Sequence, residues 1–203
     1  GFYLAVTDWV SHYFPFTPQW YPLAGGGVSL LQATQVGAYY ISAILSKISF
    51  FSLGQSIRVI EFASIFVIAL ELYFLAWYFF RSQITALLAA VFFLIMQPVW
   101  SMVIEIGMLP QITSLIFVLP AFFFFEVFLD KRQAPWLVGA VISFALAVFS
   151  HLITGALLVE WFITYSFLRA FLLPRKGILR ELAINLFWAF LTIVLGFALV
   201  AFW

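Results

Sequence analysis

Cysteine is absent from this chain, and charged side chains are scarce. Without cysteine the protein has no disulfide, no thiolate metal site and no cysteine nucleophile. The 203 residues include only nine lysines and arginines, and the formal net charge is +1. The chain therefore lacks a basic surface that would neutralise a run of phosphates, and we expect no nucleic-acid partner.

Apolar residues take the place of the missing charge. Hydrophobic residues make up 66% of the sequence and charged residues 8%, and the mean hydropathy is +1.16. Soluble domains are roughly 45–50% apolar, so this composition predicts an integral membrane protein that contacts membrane lipid. The chain begins at Gly1, and its last residue, Trp203, falls inside an apolar run. We therefore expect it to be a fragment of a longer chain.

The apolar runs predict an all-α fold, a polytopic transmembrane helix bundle with about six spans over residues 57–203. Each span needs about 20 apolar residues, and the candidate runs begin at Ile57, Ile84, Ile112, Trp136, Leu152 and Ala183. Residues 1–56 are predicted to form an extracytoplasmic loop with short interfacial helices, including the aromatic stretch Asp8–Gly27. The segment Gln35–Phe51 is short and rich in serine, which favours a helix at the interface. A complete span is the alternative for this segment.

The placement of basic residues gives the predicted orientation, because lysine and arginine collect in cytoplasmic loops. With the Asp8 loop outside, Lys47 and Arg58 also lie outside. The other seven basic residues then lie inside: Arg81, Lys131, Arg132, Arg169, Arg175, Lys176 and Arg180. The sequence thus predicts a multi-pass protein of the plasma membrane with the Asp8 loop extracytoplasmic. If Gln35–Phe51 were a span, the side of the membrane on which each later loop lies would be reversed relative to the side of the Asp8 loop.

The first candidates for chemistry lie in the opening loop. Asp8 and His12 are four residues apart, so a helix through them would place both side chains on one face. They could form an acid/base pair or part of a metal site. The alternative is that they form the polar side of an interfacial helix. Trp20 fits an outer aromatic belt, and it could also stack on a sugar.

Further candidates lie near the predicted outer ends of the spans. Arg58 could clamp a lipid phosphate, or it could pair with Glu61 and so allow that acid to enter the membrane. Glu105 lies on the same predicted side as Asp8, and two acids in one cavity would suit metal coordination or base catalysis. Taken alone, an acid such as Glu105 is more often a solvated loop residue. His151 falls near the outer end of its span and could face the same cavity.

Placed in order, several short fragments of the chain carry a family resemblance. They are Asp8 with His12, the run Trp20, Pro22 and Gly25–Gly27, the pair Tyr39 and Tyr40, the stretch Gly54–Arg58, the loop Gly107–Gln111, and Ser150 with His151. In this order they resemble the GT-C class of polyprenyl-phosphate-dependent membrane glycosyltransferases. Within that class the resemblance is to the 6-pyruvoyl-tetrahydropterin-synthase-related membrane proteins, and it covers nearly the whole chain.

The resemblance implies transfer of a sugar from a polyprenyl-phosphate donor to an acceptor on the outer membrane face. It would make Asp8 the catalytic base or a ligand of a divalent metal such as Mg²⁺ or Mn²⁺, with Glu105 as the second outer acid and metal ligand. It would place Arg58 against the lipid phosphate. The expected catalytic residues are then Asp8, His12 and Glu105, and the expected substrate-binding residues are Arg58, Trp20 and His151.

Two departures from the family pattern leave open a GT-C-shaped protein that has lost its activity. Val28 and Ser29 follow the glycine run where the family has a proline, and the opening loop contains no paired acids. The alternative is a non-catalytic integral membrane subunit that packs within a larger assembly through its phenylalanine-rich faces. An enzyme would require Asp8, Arg58 and Glu105 to line one outer cavity, whereas a structural subunit would have them paired off separately.

Overall fold

A computed structural model of the chain describes residues 2–16, 20–22, 28–29, 36–104, 109–173 and 177–201. Almost all of these residues are helical, which confirms the predicted all-α class. The helices are α1 Phe2–Tyr13, α2 Gly37–Ile48, α3 Leu53–Phe80, α4 Gln83–Ile95, α5 Gln97–Ile104, α6 Leu109–Lys131, α7 Ala134–Ser150, α8 Leu152–Leu172 and α9 Ile178–Val200. The other described element is an antiparallel pair of two-residue strands, β1 Trp20–Tyr21 and β2 Val28–Ser29.

Within the described ranges, four helices are long and apolar enough to cross a membrane, namely α3, α6, α8 and α9. Two further apolar helices, α4 and α7, have 13 and 17 residues. Long apolar helices suit a bilayer because hydrocarbon offers no partner to the backbone, and a helix satisfies its own N–H and C=O groups. These four helices support the multi-pass membrane class that the composition predicted.

The longest helix, α3, begins four residues before the predicted start at Ile57 because a capping box fixes its first turn. The Ser52 side chain accepts a hydrogen bond from the Gln55 backbone N–H at 3.3 Å. The Gln55 side chain in turn accepts one from the Ser52 backbone N–H at 2.8 Å. This reciprocal pair satisfies backbone donors that an uncapped helix would leave without partners.

The chain divides into two compact units, each with its own core. The first comprises the described residues up to Ile116 together with Phe149–His151. In it, α1 packs against α2, and α2 packs against α3. Its core contains Val6, Val10, Tyr39, Ile60 and Leu109.

Helix α2 is the structured part of the segment Gln35–Phe51. Its 12 residues would extend only about 18 Å, too short for a hydrocarbon core of about 30 Å. Its place at the membrane surface stays a prediction. Where α2 begins, a side chain at Gly37 would meet Phe149 and the Ser150 hydroxyl at 2.8–3.0 Å. Glycine at this position therefore allows the close approach of α2 to the chain just before His151.

The second unit comprises residues Phe117–Val148 and the described residues from Leu152 onward. Its core is aromatic, with Phe125, Phe144 and Phe162 completely buried. The ring of Phe162 lies 4.7 Å from that of Phe125 and 6.0 Å from that of Phe144, measured between centroids. Gly196 lets α9 approach this core, because a side chain there would meet the Phe144 ring at 2.3 Å. Pro120 lies inside α6.

Candidate functional site

In the first unit, the beginning of α1 and the beginning of α3 enclose a cavity of about 260 Å³. Both helices contribute apolar side chains to it, and α3 contributes an arginine and a glutamate. The lining residues are Phe2, Tyr3 and Leu4 of α1 and Gly54, Ile57, Arg58 and Glu61 of α3. A cavity with apolar walls and a few placed polar groups is typical of a binding site.

Arg58 and Glu61 form an ion pair in the wall of this cavity. Arg58 Nη1 lies 2.9 Å from Glu61 Oε2, and it also donates a hydrogen bond to the Val103 carbonyl oxygen at 3.2 Å. The Glu61 side chain is 2% exposed, whereas that of Arg58 is 57% exposed. Because a buried carboxylate requires a partner, Arg58 accounts for the acid inside the membrane helix. The structure therefore contains the Arg58–Glu61 ion pair, one of the two alternatives that the sequence offered for Arg58.

The ion pair leaves part of the Arg58 guanidinium unused. Both of its hydrogen bonds are made by Nη1. Among the residues that the structure describes, neither Nε nor Nη2 of Arg58 has a protein partner. A guanidinium held on one edge and open on the other can bind an anionic oxygen while it remains paired with Glu61. Lipid-phosphate binding is thus chemically compatible with the ion pair.

Asp8 and His12 lie on one face of α1, as their spacing predicted. His12 Nδ1 donates a hydrogen bond to the Asp8 backbone oxygen at 2.8 Å, and it lies 3.9 Å from the carboxylate Oδ2. Both side chains are exposed. The carboxylate is thus accessible to a proton or a cation, with the imidazole fixed beside it. Neither residue is among the described residues that line the cavity at Arg58.

Trp20 and His151 also belong to the first unit. Trp20 lies on β1, where its backbone oxygen accepts a hydrogen bond from Trp9 Nε1 at 2.9 Å and its side chain is exposed. His151 is a half-buried residue between α7 and α8. The roles of these two residues in binding a substrate stay predictions.

The predicted metal site lies partly outside the described residues, because Glu105 is not among them. The pairing of Asp8 with Glu105 therefore stays a prediction. In the ranges that are described, no group of three or more histidine, aspartate or glutamate side chains is placed to hold a metal ion. The Asp8 carboxylate itself is exposed and of the chemistry that Mg²⁺ or Mn²⁺ prefers.

The second unit contains a cluster of charges that the sequence analysis missed. The buried Arg169 donates from Nε to Glu126 Oε2 at 3.0 Å and from Nη2 to Asp130 Oδ1. The Tyr165 hydroxyl donates to the same Glu126 oxygen. The distribution of basic residues predicts only that Arg169 lies on the cytoplasmic side. One sequence pattern indicates this cluster. Glu126 and Asp130 are four residues apart inside an apolar run, so a helix places both acids on one face, where they require a positive partner.

The helices and their composition define this chain as a multi-pass α-helical membrane protein. Comparison with protein-family models, with curated proteins and with solved structures found no match for the chain. The resemblance to GT-C glycosyltransferases consequently stays a prediction based on the sequence fragments.

Proposed function

We propose that this chain is the core of a GT-C-type glycosyltransferase of the plasma membrane, with the Asp8 loop on the outer face. It would take a sugar from a polyprenyl-phosphate donor and pass it to an acceptor on that face. The order of the sequence fragments supports the proposal. The single structural observation that supports it best is the half-exposed Arg58 guanidinium in the wall of an apolar cavity.

This cavity combines the two features that a polyprenyl phosphate requires. The donor joins an anionic phosphate to a long apolar chain. Arg58 offers guanidinium donors to the phosphate, and the exposed side chains of Phe2 and Leu4 offer apolar contact to the first part of the chain. The hydrogen bond that Arg58 donates to Glu61 limits the rotamers of Arg58, so less side-chain entropy is lost when the phosphate binds.

In the proposed reaction, the acceptor hydroxyl oxygen forms a bond to the anomeric carbon of the sugar. The bond from that carbon to the phosphate oxygen breaks, and polyprenyl phosphate leaves with the electron pair. Asp8 would accept the hydroxyl proton directly. Alternatively, Asp8 and Glu105 would hold Mg²⁺ or Mn²⁺, which would acidify the hydroxyl so that its proton passes to water. Arg58 stabilises the charge on the leaving phosphate. His12 would orient Asp8, while Trp20 and His151 would contact the sugar.

The test is donor binding by variants of Arg58, with Arg81→Gln as a matched control because Arg81 ends the same helix outside the cavity. The variants are purified in nanodiscs, and binding of a polyprenyl phosphate is measured by native mass spectrometry. A hydrogen bond to a charged group contributes about 1.5–3 kcal/mol, so Arg58→Gln should weaken binding about 10- to 100-fold. Arg81→Gln should bind as the wild type does.

Two more variants separate phosphate binding from support of the fold. Arg58→Gln leaves Glu61 buried without its partner, so the double variant Arg58→Gln/Glu61→Gln removes both charges together. It should fold and still bind polyprenyl phosphate about 10- to 100-fold more weakly than the wild type does. Glu61→Gln alone should retain binding, because the guanidinium remains. Unchanged affinity in the folded double variant would show that Arg58 serves only to neutralise Glu61, and the proposed function would lose its structural support.

The non-catalytic membrane subunit is the second candidate function, and two observations favour it. Asp8 is not among the described residues that line the Arg58 cavity, and Asp8 and Arg58 lie beside separate partners, His12 and Glu61, as a structural subunit would have them. Glu160 lies within α8, a helix that can cross a membrane, yet its side chain is exposed on the surface of the chain. The wild-type protein would then copurify with other membrane proteins and with phospholipid only, and it would bind no polyprenyl phosphate. This result would support the membrane subunit over the enzyme.

A further inference from the structure

A second cavity, of about 370 Å³, lies in the second unit between α6 and α8. It is lined by three aromatic residues, one acid, one hydroxyl and one leucine. These residues are Phe122, Glu160, Trp161, Thr164, Tyr165 and Leu168. The proposed glycosyl transfer uses none of these residues.

The position of Glu160 along its helix indicates which kind of group this cavity could bind. Glu160 is the ninth residue of the 21-residue helix α8. At a rise of about 1.5 Å per residue, it lies about 12 Å from the first residue and about 18 Å from the last. If α8 spans the bilayer, the carboxyl group is close to the midplane. An acid at that depth is costly and calls for a partner.

The described part of the chain does not provide that partner. Glu160 has no hydrogen bond and no ion pair with any described residue, and its side chain is exposed. Most of the basic residues in the described ranges lie near helix ends, namely Lys47, Arg58, Arg81, Lys131, Arg132 and Arg180. Arg169 lies deeper, but its guanidinium is bound to Glu126 and Asp130. A second copy of the chain would thus bring no available cation to this depth from the described residues.

The walls of the cavity are suited to a cation. Tyr165 is held in place because its hydroxyl donates to Glu126 and its ring packs edge-on against Phe122, with 4.6 Å between centroids. Trp161 lies next to Glu160 in the chain and is exposed. Faces of aromatic rings attract ammonium and guanidinium groups. The neighbouring side chains Glu126, Asp130 and Arg169 carry two acids and one arginine, so these three groups add no net positive charge that would oppose a cation.

We propose that this cavity receives a lysine or arginine side chain from a transmembrane helix of a different membrane protein, which pairs with Glu160. A lipid amine fits the depth less well, because headgroups lie at the interface, about 15 Å from the bilayer midplane. A basic side chain on an adjacent helix reaches Glu160 directly and can lay its aliphatic stem against the Trp161 and Tyr165 rings. Charge complementarity at the midplane then selects the partner helix.

The experiment uses a synthetic transmembrane peptide of leucine and alanine with one central lysine, and a control peptide with norleucine at that position. The full chain carries a dye on Ala134→Cys, which is unique because the chain has no other cysteine. Association in nanodiscs is measured by energy transfer to a labelled peptide. We expect the lysine peptide to bind the labelled protein at least tenfold more tightly than the norleucine peptide.

Two variants test whether Glu160 causes this difference. Glu160→Gln keeps the size of the side chain, and it should bind both peptides equally. Glu71→Gln removes an acid from another membrane helix and should retain the tenfold preference. Equal binding of both peptides by the wild type would overturn the proposal, as would an undiminished lysine preference in Glu160→Gln. It would also be overturned if native mass spectrometry found an amine lipid that is lost in Glu160→Gln while the peptides show no preference.

Discussion

Removing the Arg169 guanidinium should destabilise the second unit by about 3–5 kcal/mol, the usual cost of breaking a buried ion pair from one side. The change is Arg169→Met, which keeps the length and apolar stem of the side chain. It deprives Glu126 and Asp130 of their shared partner. The Glu126 side chain is 6% exposed and, among the described residues, keeps only the hydrogen bond that Tyr165 donates, whereas the Asp130 side chain is 32% exposed and can be solvated. We therefore expect a value near the lower end, about 3 kcal/mol.

The measurement is thermal unfolding in detergent, followed by the fluorescence of the tryptophans. At about 2–4 °C per kcal/mol for a chain of this size, the midpoint should fall by about 10 °C. The control is Arg132→Met, because Arg132 is exposed at the end of the same α6 helix. Its contact with the Phe128 ring, at 5.6 Å, should be worth at most about 1 kcal/mol.

A second variant tests whether Arg169→Met is destabilised because Glu126 and Asp130 are left without a positive partner. The triple change Glu126→Gln, Asp130→Asn and Arg169→Met removes every charge of the cluster. Replacing a whole buried ion pair is often neutral, so the triple variant should recover most of the lost stability. A loss below about 1 kcal/mol in Arg169→Met would refute the reasoning. So would a triple variant no more stable than the single one.

Two other predictions concern the first unit and use the same thermal assay. Gly37→Ala should lower the free energy of unfolding by about 1–3 kcal/mol, because the added methyl group meets Phe149 at 2.8 Å. The control is Gly54→Ala, whose methyl group meets nothing within 4 Å. This control should be neutral or stabilise α3 by up to about 1 kcal/mol. Equal effects at the two glycines would contradict the close approach of α2. Ser52→Ala should cost about 1 kcal/mol by removing the cap on Gln55, and a variant as stable as the wild type would show that the capping box contributes little.

The positions of the long helices were largely predictable from the sequence. Apolar runs near Ile57, Ile112, Leu152 and Ala183 lie in the four helices that are long enough to cross a membrane. The predictions at Ile84 and Trp136 also correspond to helices, but these have 13 and 17 residues. Hydropathy marks an apolar run without marking where its helix stops. Met96 ends α4 in an extended conformation shortly before Pro98, and the helix resumes at Gln97 as α5.

The candidate site was predictable only where its parts are close in sequence. A spacing of four placed Asp8 with His12, and a spacing of three placed Arg58 with Glu61, because helical geometry alone brings such residues together. The sequence left the ion pair and the phosphate clamp at Arg58 as alternatives. The structure shows the ion pair together with guanidinium donors that have no partner among the described residues.

By itself the sequence determined the membrane class, the helical fold and these local pairs, since composition and periodicity are properties of the chain and of its solvent. Only the tertiary structure decided which distant groups meet. Arg58 contacts the carbonyl of Val103, 45 residues away, and Arg169 bridges to Glu126, 43 residues away. No local pattern encodes such contacts, because they depend on how separate helices pack. The same packing left Glu160 exposed on α8 and placed Arg169, nine residues further along that helix, inside the second unit.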